Sequence, residues 1–267
     1  MKGGYFLFNG QFYKEGDAVF TLADLSQRAS GFSEFFRAEH NEILFPQAIS
    51  AHLIAIAETA NLEISGPIGS EGRLLRKDVS RLLNKNKLYL AARIGIQVYR
   101  SGDHINSILT AQEMERGYYP LNEPGLLLSF NNTQTAEPFS FQNSLRLVGE
   151  QNKPDLIILN SSGYTCRNHF FSVAYIEKDQ VFFTTESSAQ KKCAIWEEVF
   201  KSAKEVGLRP MEKENVTPEM LLEADEVFLY DACSGIQKVL GFEDRRYFSP
   251  KTKLIAEKLS ERARHGK

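Results

Sequence analysis

Cys166 and His169 form the pair in this chain whose types and spacing first suggest chemistry, since a thiol and an imidazole three residues apart can hold a metal or activate a nucleophile. A metal site needs further ligands, and the sequence supplies no second cluster of Cys or His. Residues three apart on a strand also face opposite sides, so incidental packing accounts for the pair. Ser188-Ala189-Gln190-Lys191 spells the Ser-x-x-Lys of penicillin-recognising enzymes without their companion motifs, and chance explains it. Gly66-Pro67-Ile68-Gly69-Ser70-Glu71-Gly72 has the glycine density of a phosphate loop. It follows helix-like sequence rather than a strand and lacks the lysine and helix start that such a loop requires, so it reads as a solvated loop. Arg100-Ser101-Gly102-Asp103-His104 carries two basic groups in what is also an ordinary polar turn.

The elements that must position such groups follow from local signals. Tyr5 to Phe8, Asn9-Gly10 and Gln11 to Tyr13 read as strand, turn and strand, because Asn and Gly tolerate positive φ. Gly31 to Ala38 and Glu42 to Phe45 read as strands around a turn at His40-Asn41. A helix follows from Pro46, a good first-turn residue, to about Ala60, with Ile49, Leu53, Ile56 and Ala57 at helical spacing and His52 on its exposed edge. Asp78 to Leu83 reads as a second helix and Ala92 to Tyr99 as an alternating strand.

Arg116 to Gly125 holds two prolines and two glycines and reads as an interdomain linker. Beyond it, Leu126 to Phe130, Leu156 to Leu159, Phe170 to Ile176 and Val181 to Thr184 read as strands. A helix is expected over Ser188 to Val206, with Ile195, Val199, Ala203 and Val206 as its inner stripe, Trp196 in the core and Gly207 just past its end. Thr217-Pro218 opens another helix by N-cap and proline. Glu226 to Tyr230 and Lys238 to Phe242 read as strands, and Lys251 to Arg264 as the closing helix. The expected organisation is α+β in two domains: a small one over residues 1–115, a linker over 116–125 and a larger one over 126–267.

Composition sets outer bounds. A net charge of −2 gives no electrostatic reason to expect nucleic acid or an anionic membrane as partner. No apolar run approaches the roughly 18 residues of a membrane span. The N-terminus shows no signal-peptide pattern, and three scattered cysteines make no disulfide framework, so the expected setting is the reducing cytoplasm.

The order of several weak motifs is similar to that of the class IV pyridoxal-phosphate transferases, the branched-chain and D-amino-acid aminotransferases and aminodeoxychorismate lyase. Asn9-Gly10, Asp24 and Gly31-Phe32-Ser33-Glu34-Phe35-Phe36 resemble the opening of that family, and Ala92 to Arg100 resembles the strand ending its small domain. Asp155 to Tyr164 followed by Asn168-His169-Phe170 resembles its apolar strand, glycine turn and Asn-x-Phe. Ala224-Asp225-Glu226-Val227-Phe228, Gly235-Ile236 and Val239 match later features. The resemblance covers nearly the whole chain and implies a fold type IV transferase fold, in a homodimer with its cleft near the subunit interface.

The same resemblance implies a lysine that forms a Schiff base with pyridoxal phosphate, so that carbanion character drains into the ring. Its place falls between about Pro138 and Leu147, where Gln142 or Asn143 stands instead, and no lysine occurs between Lys87 and Lys153. Lys153 itself falls in an expected loop. The phosphate-site arginine of the first long helix, which follows a histidine by three positions, corresponds to Leu53, and the histidine to Ser50. A phosphate-contacting threonine near Gly235 corresponds to Ala232, with Ser234 able to serve in its place, and the arginine-bearing turn reads Ala194-Ile195-Trp196-Glu197. The glutamate partner of the pyridine nitrogen gives way to Arg167 beside Asn168, and a cation there opposes ring protonation. Losing two charge-assisted phosphate contacts costs about 3–6 kcal/mol, on the order of 10²–10⁴ in affinity.

Three readings of function follow. The first is a pseudoenzyme with no cofactor, binding a small anion or a protein partner, with Arg100, His104 and Arg167 as cationic lining and Asn168, Ser234 and Gly235 beside them. The second is an active aminotransferase or aminodeoxychorismate lyase that uses pyridoxal phosphate in an unorthodox site. The third is a cofactor-independent enzyme, for which the sequence offers no constellation.

Overall fold

The chain is described by a computed structural model at residues 4–17, 31–64, 68–69, 72–121, 125–135, 156–159, 165–168, 172–184 and 192–265, with 129–135, 156–159 and 165–168 described by backbone alone. These residues divide into two compact units, one ending at Gly117 and the other beginning at Tyr118.

The first unit is an antiparallel sheet under two helices. Its strands are β1 (Tyr5–Phe8), β2 (Gln11–Lys14), β3 (Gly31–Glu39), β4 (Glu42–Ile43), β5 (Ala91–Ser101) and β6 (His104–Glu113), and its helices are α1 (Pro46–Thr59) and α2 (Arg73–Asn86). The strand order is β2-β1-β6-β5-β3-β4. Two tight turns set its registers, with φ of 49° and 77° at Asn9 and Gly10, and of 51° and 65° at His40 and Asn41. Paired positive φ values match the twist of the flanking strands, which is why Asn and Gly recur there. Leu7, Phe32, Phe36, Ile94, Ile96 and Val98 form the buried face, and Ile49, Leu53 and Ile56 of α1 with Leu75, Val79 and Leu82 of α2 are buried as well. Each such side chain contributes roughly 1.5–3 kcal/mol by leaving water. Gly72 precedes α2 at φ 71°, and a Cβ there would lie 1.9 Å from Ser50 Oγ, so only glycine lets the two helices meet at this point.

The second unit holds β7 (Leu126–Thr135), β8 (Leu156–Leu159), β9 (Thr165–Asn168), β10 (Ser172–Glu177), β11 (Gln180–Thr184), β12 (Arg209–Lys213), β13 (Glu226–Asp231), β14 (Gly235–Phe242) and β15 (Arg245–Arg246), with helices α3 (Trp196–Glu205), α4 (Pro218–Glu223) and α5 (Pro250–His265). Its sheet runs β12-β11-β10-β13-β14-β7-β8-β9, and β9 pairs back onto β10, so six strands close on themselves. Val173, Tyr175, Val227, Leu229, Val239 and Phe242 pack on one side with Val216 and Leu221. On the other side Phe183 meets Phe228, Tyr230, Trp196 and Phe200 at ring separations of 5.7–6.3 Å. Glu226 is 3% exposed and caps α5, accepting from Lys251 N at 3.0 Å and from Thr252 N and Oγ1, each at 2.8 Å.

Several expectations need correction. Helix α3 begins at Trp196, not Ser188, and Ala194 and Ile195 precede it as turn. Glu197 and Glu198 fill its first turn, where the helix dipole favours acids, whereas Lys192 would oppose it. Helix α2 starts five residues before Asp78. Strand β5 is buried on both faces instead of alternating, and β6, disguised by Asn106, Thr110 and Gln112, pairs along its full length. His52 is not on an exposed edge: its ring is 14% exposed, with Nε2 3.5 Å from Glu34 Oε1. Asp24, Gln142, Asn143, Lys153, Asn160, Gly163, His169 and Ser188 to Lys191 lie outside the described residues.

Candidate functional site

The face of the first sheet turned away from α1 and α2 carries polar groups. Glu34 pairs with His52 of α1, and Phe12, opposite Leu7, lies under Arg81 of α2, so the helices cover that register set. The alternate set places Arg37 directly across from Arg93, and Phe35 across from Gly95. A Cβ on Gly95 would come within 3.0 Å of the Phe35 ring, so the bare backbone makes room for that ring. The Arg93 guanidinium stacks on it at 3.9 Å. Arg37 is 1% exposed, and its charge is met by Glu39, with Nε to Oε1 at 2.7 Å and Nη2 to Oε1 at 2.6 Å, and by the Glu115 carbonyl. Arg93 has no ion-pair partner among the described residues, and its buried Nε has no hydrogen-bond acceptor. A half-buried guanidinium on an aromatic ring, beside a neighbour that is already neutralised, suits an anionic group.

Arg100 and His104 flank the β5–β6 turn, with Ser101 paired to His104 and Gly102 at φ 58°. Both side chains are exposed. Arg100 falls in the register set opposite to Arg93 and donates from Nη2 to the Asn61 carbonyl past the end of α1 at 2.6 Å. Arg93 itself escapes sequence reading, because only the pairing of β3 with β5 sets it against Phe35.

In the second unit, Arg167 stands in register with Ser172, and Ser172 with Tyr230. Asn168 pairs with Ile157 of β8. The Tyr230 hydroxyl is buried, and burial first, then the nearby Cys193, pushes its pKa well above the usual value against a hydrogen bond from Ser172. Ser234 and Gly235 close the β13–β14 hairpin. Gly235 has φ 71°, and a Cβ would lie 2.6 Å from Tyr119 Cβ, while Tyr119 donates to the Ala232 carbonyl at 3.0 Å. Asp231 Oδ1 accepts from the backbone N–H of Ser234 at 2.7 Å and from that of Cys233. Lys192 Nζ pairs with Glu212 at 3.0 Å and lies 4.0 Å from the Trp196 ring, whose buried Nε1 has no acceptor among the described residues.

These residues allow a test of the phosphate group implied by the resemblance. At the turn where the resemblance implies a phosphate-contacting threonine, the amides of Cys233 and Ser234 already serve a carboxylate of this chain, and that carboxylate repels a second anion. The first turn of α3 presents Glu197 and Glu198 and no basic side chain. The described residues of these two turns therefore do not fit a phosphate.

No protein-family profile matches the chain, and no curated protein sequence does. Solved structures match its fold. A branched-chain aminotransferase from Thermoproteus uzoniensis with norvaline superposes at TM-score 0.80 and 16% identity, covering 98% of this chain and 95% of that one. The Escherichia coli branched-chain amino acid aminotransferase gives 0.78 and 18%, covering 99% and 94%. The Thermobaculum terrenum enzyme in its PLP-form gives 0.81 and 15%, covering 100% and 96%. The chain is α+β with the class IV, fold type IV architecture of these aminotransferases.

Proposed function

We propose that this chain keeps the class IV fold without pyridoxal-phosphate chemistry and works by binding a small anion or a protein partner. One observation carries the reading: Asp231 holds the hairpin amides of Cys233 and Ser234, so the turn offers a phosphate an acid in place of donors. The absence of lysine between Lys87 and Lys153, and of a base in the first turn of α3, supports it. Anion binding draws on Arg93, whose stacked guanidinium has no carboxylate partner among the described residues, while Arg100, His104 and Arg167, the candidates the sequence offers, are separate places for an anion. Gln142 or Asn143 then fills the place of the lost lysine. A homodimer in the cytoplasm is part of the same reading.

The second reading, an active pyridoxal-phosphate enzyme, is favoured by structural neighbours solved in PLP and pyridoxamine phosphate forms. Visible absorption after incubation with pyridoxal phosphate separates the two. A colourless protein after dialysis is expected, and a retained band above the free-cofactor baseline contradicts it. Calorimetry with phosphate and a dicarboxylate tests the anion site. Arg93→Ala, Arg100→Ala and Arg167→Ala should each weaken binding, and unchanged affinity in all three removes the site.

A further inference from the structure

Helix α2 buries Leu75, Val79, Leu82 and Leu83, and the rest of its circumference is basic. From Arg73 to Lys87 the sequence places six cations against one acid, Asp78, in a chain whose net charge is −2, so the remainder is acidic overall. Arg73, Lys77, Arg81 and Lys85 are exposed and recur every fourth residue. At 1.5 Å per residue they form a row roughly 18 Å long. Two members are fixed from below. Arg81 lies 5.0 Å from the Phe12 ring centroid and bonds Asp78 at 2.8 Å, and Lys85 Nζ lies 4.6 Å from that of Tyr5. Such contacts seat the apolar stems while the charges stay in water.

Among the described residues Arg76, Lys77, Lys85 and Lys87 have no carboxylate partner, and Arg81 pairs with Asp78 of the same helix. Leu74, Tyr89 and Leu90 near its two ends are 45%, 50% and 38% exposed. A row of exposed cations, two of them held in place, with apolar residues at both ends is a surface suited to a partner of opposite charge that also carries apolar groups.

We infer that the exposed face of α2 docks an acidic peptide segment of a partner protein, whose carboxylates follow the row and whose apolar side chains meet Leu74, Tyr89 and Leu90. Charge complementarity selects an anion. A nucleic acid suits the surface less well, because its backbone runs on past four cations onto an acidic remainder and makes no use of the apolar residues.

Fluorescence anisotropy tests this with the full chain and a labelled peptide of about sixteen residues, carrying Glu at every fourth position and Leu between. Affinity should fall roughly tenfold as sodium chloride rises from about 50 to about 300 mM. It should fall roughly fivefold to tenfold in Lys77→Gln/Lys85→Gln and stay unchanged in Lys253→Gln/Lys258→Gln on α5. No binding, binding indifferent to salt, or an equal loss in the α5 variant overturns the inference. Tighter binding of a single-stranded RNA of similar length also overturns it. The salt titration uses the unsubstituted protein and stands on its own if a variant fails to fold.

Discussion

Arg262 on α5 reaches two acids of α3, Glu198 and Glu205, whereas Lys77 and Lys85 on α2 reach none among the described residues. Lys201 and Lys258 pair within their own helices, with Glu198 and Glu261 three residues away, as Arg81 does with Asp78 on α2. Helices of similar composition thus use charge differently. On α3 and α5 it joins one helix to the other, and Glu226 extends the theme by tying β13 to the start of α5. On α2 the cations face outward and contribute little to holding the fold. Exposed ion pairs are worth under about 1 kcal/mol each, so the outward charges of Lys77 and Lys85 are better explained by recognition than by stability.

The largest effect should come from Glu226→Ala, which leaves two amides and a hydroxyl of α5 without their buried acceptor. A loss of about 3 kcal/mol is expected in urea unfolding. A loss below about 1 kcal/mol would mean that water replaces the carboxylate and that charge contributes little to holding α5 in place.

Arg262→Ala comes next, at about 1–2 kcal/mol, because it parts α5 from Glu198 and Glu205. Burial alone would raise the Glu198 pKa, but hydrogen bonds from Lys201 and Arg262 outweigh it and hold the carboxyl below the usual range. The unfolded carboxyl therefore protonates first as pH falls. This contribution is complete above the unfolded value of about 4.3 and disappears as pH drops through the lower folded value. Unfolding midpoints between pH 6 and pH 3 should fall less steeply in Arg262→Ala than in the parent. Parallel slopes would remove Glu198 from the account.

The smallest stability effect belongs to α2. Lys77→Gln/Lys85→Gln should shift unfolding by less than about 0.5 kcal/mol. A larger loss would show that these cations serve the fold and would dissolve the contrast with α5.

Much of the fold was legible because its signals are local. Asn9-Gly10 demands positive φ, Pro46 and Thr217-Pro218 announce helix starts, and Ile49, Leu53, Ile56 and Ala57 mark one face whatever they pack against. What stayed hidden depends on pairing. The stack of Arg93 on Phe35 needs Gly95 across the sheet, and the β6 strand shows itself only against β5. The start of α3 was misplaced because its apolar stripe begins in the preceding turn, while the acids Glu197 and Glu198 were the better marker. At the hairpin, Asp231 four residues before Gly235 is a local turn signal, and its carboxylate takes the amide of Ser234, the residue that the sequence offers as a substitute phosphate ligand.

The claim that pyridoxal-phosphate chemistry has been lost rests most directly on whether any lysine holds the cofactor. Intact mass spectrometry after incubation with pyridoxal phosphate, dialysis and borohydride reduction reads this without assuming a substrate. The account predicts the mass of the unmodified chain. A stoichiometric gain of one pyridoxyl phosphate, mapped by peptide sequencing to a single lysine such as Lys153 or Lys192, would contradict it.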